Sequence, residues 1–378
     1  MLNRAVHDRI SDCFFKGKAV IIYGARQVGK TTLIKAIRAS YGEAASLYLN
    51  CDEPDIRSML TDVNSTQLQA MIGNKKMIFI DEAQRIRNIG LTLKLLVDNM
   101  PDRQLVVTGS SSLDLSNEMV EPLTGRKYEF QLYPFSLVEL GAKYSPLELQ
   151  RLLERWLIFG LYPEVVEKTD EARVLLSELA SSYLYKDLLQ FQNIRRPDLL
   201  ERLLQALALQ LGSEVSFNEL ASQLHITKET VSQYIQLLEK SFVIFRLSPF
   251  SRNLRNELSK LRKIYFVDLG IRNALIKNFN PLNLRTDIGA LWENFLISER
   301  LKNIMNQGMY VNSYFWRTHQ QQELDYLEDS GGKLSAFEFK WQPTAWRAPK
   351  AFTDAYPNSS TQLVHQQNYF DFLGIPPG

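Results

Sequence analysis

The chain has 378 residues, more than one ordinary domain takes up, and its 45% hydrophobic and 23% charged content suits a globular protein able to bury real cores. No apolar run approaches the roughly 18 residues needed to cross a bilayer, and residues 1–8 lack the apolar core of a secretory signal, so a cytoplasmic location is expected. A formal net charge of +2 gives no global attraction for nucleic acid, and Cys13 and Cys51, far apart and without partners at ligand spacing, indicate neither a disulfide framework nor a zinc site.

In chain order, β-rich runs at 19–23, 46–50, 77–80, 104–108 and 127–132 alternate with helical patterns. Short buried strands separated by helices imply an α/β fold, a parallel sheet with helices on both faces, over residues 1–140. Between the first strand and the first long helical pattern stands Gly24-Ala25-Arg26-Gln27-Val28-Gly29-Lys30-Thr31, a complete phosphate-binding loop. Gly24 and Gly29 permit backbone angles that let successive N–H groups curl round a polyphosphate at a helix N-terminus. Lys30 is placed to reach the β- and γ-phosphates and Thr31 to offer a hydroxyl to Mg²⁺, and Thr32 is counted with the loop among the nucleotide-binding residues.

The third strand ends in Asp81-Glu82. Two carboxylates at the end of a buried strand are costly to desolvate unless a cation or hydrogen bonds compensate, as bound Mg²⁺ and its water would. Asp81 is assigned to the outer shell of that ion, and Glu82 to orienting or deprotonating the attacking water. Thr108 and Ser110 close the fourth strand at the same sheet edge, either bonding the water or γ-phosphate or capping a turn. Arg126 is either a transition-state cation or an ordinary surface arginine. With these residues in hand, the chain resembles the AAA-superfamily ATPases, and within them a large prokaryotic group with a C-terminal domain of uncertain function. The resemblance rests on residues 24–31, Asp81-Glu82-Ala83-Gln84, Thr108-Gly109-Ser110, Gly125-Arg126 and Leu291-Trp292-Glu293-Asn294. It implies an ATP-hydrolysing core with Mg²⁺, a winged helix and a nuclease-like tail, and raises the expectation of a homo-oligomer or a protein partner.

Residues 141–212 carry apolar residues at helical spacing, with Pro163 and Pro197 as breaks, and read as a helical connector. Residues 213–285 give helix, tight turn, a second helix capped by Thr227, and two β-rich runs, the order of a winged helix. Val231, Ile235 and Leu238 form the second helix's buried stripe, while Arg246, Arg252, Arg255, Lys260, Arg262 and Lys263 face one acid, Glu257. Residues 227–263 are therefore a candidate DNA contact, with protein packing as the competing reading.

Residues 286–378 open with an amphipathic helix bearing Trp292 and Glu293, followed by strands at 310–316, 321–328 and 333–341. A four-residue turn, Asp329-Ser330-Gly331-Gly332, sets Glu323 opposite Glu338 with Asp325 diagonal to it. Crowded carboxylates suit a divalent cation held by Asp325, Glu338 and the Phe339 carbonyl, with Lys340 polarising its water; a solvated strand face is the alternative. The pattern resembles the restriction-endonuclease-like superfamily, in which Glu293 takes the helix position, although Leu324 stands where a proline is often found.

Overall fold

The computed structural model describes residues 2–109, 123–183, 196–250, 262–318 and 320–376. They fall into two compact units, one of Asn3–Pro134 with Lys240–Phe242, the other of Phe135–Glu239 and Val243 onward. Among the described residues, no helix is long and apolar enough to cross a membrane.

The first unit holds the expected parallel sheet: β1 (Ala19–Gly24), β2 (Ser46–Asn50), β3 (Met77–Asp81), β4 (Gln104–Gly109) and β5 (Lys127–Leu132), in the order β2-β3-β4-β1-β5. Every residue of β1, β3 and β4 is buried, which accounts for their continuous apolar runs. Parallel register sets Ala19 beside Lys127 and Gly24 beside Leu132, so the C-terminal ends of β1, β3 and β4 meet at one edge. The sequence needs glycine at 24 because a Cβ there would lie 2.3 Å from the Leu132 carbonyl oxygen.

The second unit is built round a seven-stranded sheet in the order β12-β11-β10-β9-β7-β8-β6. Its strands are β6 (Glu214–Val215), β7 (Ile244–Pro249), β8 (Arg262–Phe266), β9 (Asn312–Arg317), β10 (Glu323–Ser330), β11 (Lys333–Phe339) and β12 (Ser360–Val364). The hairpin β7–β8, with β6 antiparallel to β8, follows two helices, Phe217–Leu224 and Lys228–Lys240. Parallel pairing of Ser248 with Tyr314 and Pro249 with Phe315 joins β7 to β9. The strands read from sequence as parts of two successive domains thus share one sheet, because the chain at Pro249 and Phe250 extends far enough to add a strand edge to β9, with Phe250 N–H donating to Phe315 O at 2.7 Å.

Two expectations need correction. The helix Ile288–Gln307 is not the amphipathic helix expected: it is buried round most of its circumference, including the polar Asn294, Ser298, Glu299, Lys302 and Asn303. Its buried polar groups replace water with backbone partners: the Asn294 amide accepts from Phe266 N at 2.8 Å and donates to Phe266 O at 2.8 Å. In the β10–β11 hairpin, Ser330 pairs with Lys333 and Glu328 with Ser335, so the turn is the two residues Gly331 and Gly332 rather than four. Both glycines have positive φ, +62° and +85°, the backbone that matches a two-residue turn to the twist of its strands.

Candidate functional site

In the first unit the residues expected to bind nucleotide converge at the C-terminal edge of the sheet. The loop leaving β1 turns through Gln27 at φ +59° and Gly29 at φ +95° into the helix Lys30–Tyr41, whose N-terminus has no side-chain cap. Its first N–H groups are thereby left for an anion. The Lys30 ammonium, 4% exposed, donates to the loop's own Gly24 and Ala25 carbonyls at 2.9 and 2.8 Å, which folds it across the cradle.

Asp81 is 2% exposed and is the hub of the site. Thr31 Oγ1 donates to its Oδ2 at 2.8 Å and the Tyr48 hydroxyl to the same oxygen at 2.7 Å, while Thr108 Oγ1 donates to Oδ1. Thr31 and Asp81, from two elements, thus share one polar point beside the cradle, a donor set that fits Mg²⁺ held by a hydroxyl with a carboxylate behind its water. Glu82 follows with φ +55°, a conformation rare outside glycine. Its N–H donates to Thr108 Oγ1 at 3.1 Å, and Gln84 Nε2 donates to its carboxylate. Thr108 therefore joins β4 to Asp81 at the end of β3 and to Glu82 just beyond it.

Arg126 lies elsewhere. Its carbonyl accepts from Ala19 N–H at the start of β1, whereas the phosphate loop begins at the end of that strand, roughly 16 Å away. Its guanidinium pairs with Asp98 at 2.6 Å. Sheet order, which no local pattern encodes, puts it at the wrong edge to meet the γ-phosphate in its own chain. Ser110 lies outside the described residues.

Three contributors were not assigned a role from sequence: Tyr48, Gln84 and Arg4. Arg4, 8% exposed, donates from Nη1 to Val28 O at 2.7 Å and from Nη2 to Tyr133 O at 2.6 Å, tying the phosphate loop to the exit of β5. Only Gln84 had a sequence signal, its place two residues after Glu82 in the Asp81-Glu82-Ala83-Gln84 run.

In the second unit Glu293, Glu323, Asp325, Glu338 and Lys340 also come together, with a changed arrangement. Continuing the hairpin register sets Asp325, not Glu323, opposite Glu338. The β9–β10 register shifts between Leu324 and Leu327, the stretch that holds Asp325. The Phe339 amide donates to Asp325 Oδ2 at 2.8 Å, and Lys340 Nζ pairs with Glu338 Oε1 at 2.7 Å.

Lys263, expected on a basic surface, is 3% exposed and inside this cluster. Its Nζ lies 3.0 Å from Glu293 Oε1, pairs with Glu323, and is 4.0 Å from Asp325 Oδ1. The Tyr265 hydroxyl donates to the same Glu293 oxygen at 2.6 Å. Burial alone would lower the Lys263 ammonium, but the Glu293, Asp325 and Glu323 carboxylates outweigh it and raise it. Asp325 is raised well above the ordinary carboxylate value, by burial first and then by the Glu293 and Glu338 charges. Among the described residues no group of three or more His, Cys, Asp or Glu side chains is disposed to hold a metal ion. With an ammonium already among its carboxylates, the cluster does not fit the divalent centre expected from Glu293, Asp325 and Glu338.

The expected basic stretch is also altered. Arg246 pairs with Glu239 at 2.5 Å, Lys263 is buried as above, and Arg252, Arg255, Glu257 and Lys260 lie outside the described residues. On the second helix the expected stripe is present: Val231, Ile235 and Leu238 are buried, Lys228, Glu229 and Gln233 are exposed, and Thr227 Oγ1 accepts from Thr230 N–H at 3.2 Å.

Comparison with known proteins places an AAA domain at residues 16–141, a domain of unknown function (DUF8612) at 150–282 and another (DUF4143) at 288–371. An uncharacterized protein of Mycobacterium tuberculosis is 30% identical over 345 residues, covering 90% of this chain and 72% of its own length. One from Methanocaldococcus jannaschii is 26% identical over 331 residues, 82% of this chain and 72% of its own. Among solved structures, AMPPCP-bound DnaA from Aquifex aeolicus aligns over 62% of this chain and 86% of its own at 15% identity with a TM-score of 0.29, a distant likeness.

Proposed function

The chain belongs to the family of the mycobacterial protein that it matches at 30% identity, and from that premise we propose that it is a Mg²⁺-dependent ATPase that acts on DNA. The observation that carries the ATPase reading is the convergence of Lys30, Thr31, Asp81, Glu82 and Thr108 at one sheet edge of a P-loop AAA-type domain. Loop amides at residues 24–31 and the Lys30 ammonium receive the phosphates, Lys30 exchanging its carbonyl partners for phosphate oxygens. Thr31 and Asp81 would hold Mg²⁺, which would supply positive charge against that developing on the phosphates. Glu82, steadied by Gln84 and Thr108, orients the attacking water and accepts its proton. Arg126, paired with Asp98 at the other edge, takes no part in this chemistry within its own chain. ATP as substrate suits a cytoplasmic place of action.

DNA contact is assigned to the winged helix, through the exposed face of Lys228–Lys240. Lys228 and Gln233 there are solvent-exposed, of a chemistry that reaches phosphates and base edges, over a fixed apolar stripe. Hydrolysis measured with and without duplex DNA tests this: stimulation that is lost in Lys228→Ala/Gln233→Ala supports it, and a rate indifferent to DNA refutes it.

A second reading is favoured by the filled acidic cluster. If the C-terminal part is non-catalytic, hydrolysis drives a switch that controls a protein partner, and metal-dependent phosphodiester cleavage is not among the chain's activities. Absence of Mn²⁺-dependent nicking by wild-type protein, together with DNA-indifferent hydrolysis, selects that reading.

A further inference from the structure

By sequence Lys263 is one of six basic residues between 246 and 263, yet its side chain is 3% exposed and turned into the carboxylates of the second unit. We propose that Lys263 is the resident cation of that acidic cluster: an ammonium carried by β8 takes the place of a divalent metal among Glu293, Glu323 and Asp325 and keeps the cluster closed to metal.

An ammonium is a compact charge with three donors, and the cluster offers Glu293 Oε1 at 3.0 Å, Glu323 in direct contact and Asp325 Oδ1 at 4.0 Å. The oxygens that a metal needs are already engaged. Glu293 Oε1 also accepts from Tyr265, Asp325 Oδ2 accepts from Phe339 N–H, and Glu338 is paired with Lys340. Glu323 has a second cation, Arg317, at 3.7 Å. The ammonium is anchored, since β8 is an interior strand with Lys263 registered against Leu247 of β7 and Glu214 of β6. A divalent ion at this point would compete with the Lys263 ammonium for the same carboxylate oxygens and meet its like charge at short range, so entry requires Lys263 to leave. The inference concerns which cation the cluster holds and is independent of whether the protein hydrolyses ATP or touches DNA.

The test is calorimetric titration of Mn²⁺ into the EDTA-treated, nucleotide-free full chain. Wild type and Lys263→Met are compared, each with and without Asp325→Asn; any ion bound elsewhere cancels in the comparison. Lys263→Met should gain one Asp325-dependent site, binding Mn²⁺ at least about tenfold more tightly than wild type. An Asp325-dependent site of equal affinity in wild type overturns the proposal, as does no gain in the variant. Should Lys263→Met fail to fold, Lys263→Gln, which keeps a polar end but removes the charge, should gain the same Asp325-dependent Mn²⁺ site, and its absence counts against the proposal.

Discussion

The Thr31 hydroxyl and the Asp81 carboxylate face each other across 2.8 Å, although they stand fifty positions apart on different elements. The first closes the phosphate loop and the second ends β3, so the parallel register of the sheet is what makes them neighbours. Tyr48 and Thr108 complete the shell of that carboxylate.

Glu82 is expected to act in turnover and not in binding. Glu82→Gln should leave Mg-ATP affinity within about threefold of wild type and slow steady-state hydrolysis by about 10²-fold or more. Gln84→Ala, which frees the Glu82 carboxylate, should lower kcat about tenfold with KM little changed. Phosphate-release assays with parallel nucleotide titrations check both, and a Glu82→Gln protein with wild-type kcat removes Glu82 from the chemistry.

Arg4 should matter to both stability and nucleotide binding. Its two bonds to Val28 O and Tyr133 O come from a buried charged donor, of a kind worth about 1.5–3 kcal/mol each in mutational series. Arg4→Met is expected to lower the urea midpoint and weaken Mg-ATP binding by about tenfold, because the loop loses its tie to β5. A stability loss with unchanged affinity would show that the tie does not shape the loop.

Asp287 gives a pH-dependent prediction. Burial would raise its carboxyl, but hydrogen bonds from Arg285 and Arg272 more than offset this and hold it down to about 2. A depressed carboxyl stabilises the fold above its unfolded value, near 4, and that contribution is lost as pH falls through about 2. Asp287→Asn should therefore cost about 2 kcal/mol in urea unfolding at neutral pH, and the gap from wild type should shrink progressively below pH ~4. A gap that stays constant with pH contradicts the ion-pair account.

Much of the first unit was legible locally. β1, β3 and β4 differ from expectation by one residue at an end, because a buried parallel strand writes itself as an unbroken apolar run, and the half-buried edge strands β2 and β5 carry the bounds expected of their alternating β-rich runs. The phosphate loop is likewise contiguous in sequence. Arg126, Arg4 and Lys263 were not legible in the same way, since each owes its partner to sheet order or to a contact across many residues. Gly331-Gly332 signalled a turn but left open whether Ser330 belongs to turn or strand, and that choice alone moves each β10 partner by two positions, so that Glu328 faces Ser335 instead of Lys333. The strand β12 went unseen because Ser360-Thr361-Gln362-Leu363-Val364 is short and polar, at the sheet's edge.

Calorimetric titration of Mg-ATP into the full chain and into Lys30→Ala tests the nucleotide site most directly. Saturable one-site heat in wild type, weakened by about 10²-fold or more in Lys30→Ala, is the expected result. No heat at millimolar Mg-ATP, or equal affinity in the two proteins, contradicts the assignment of residues 24–31 as a phosphate cradle.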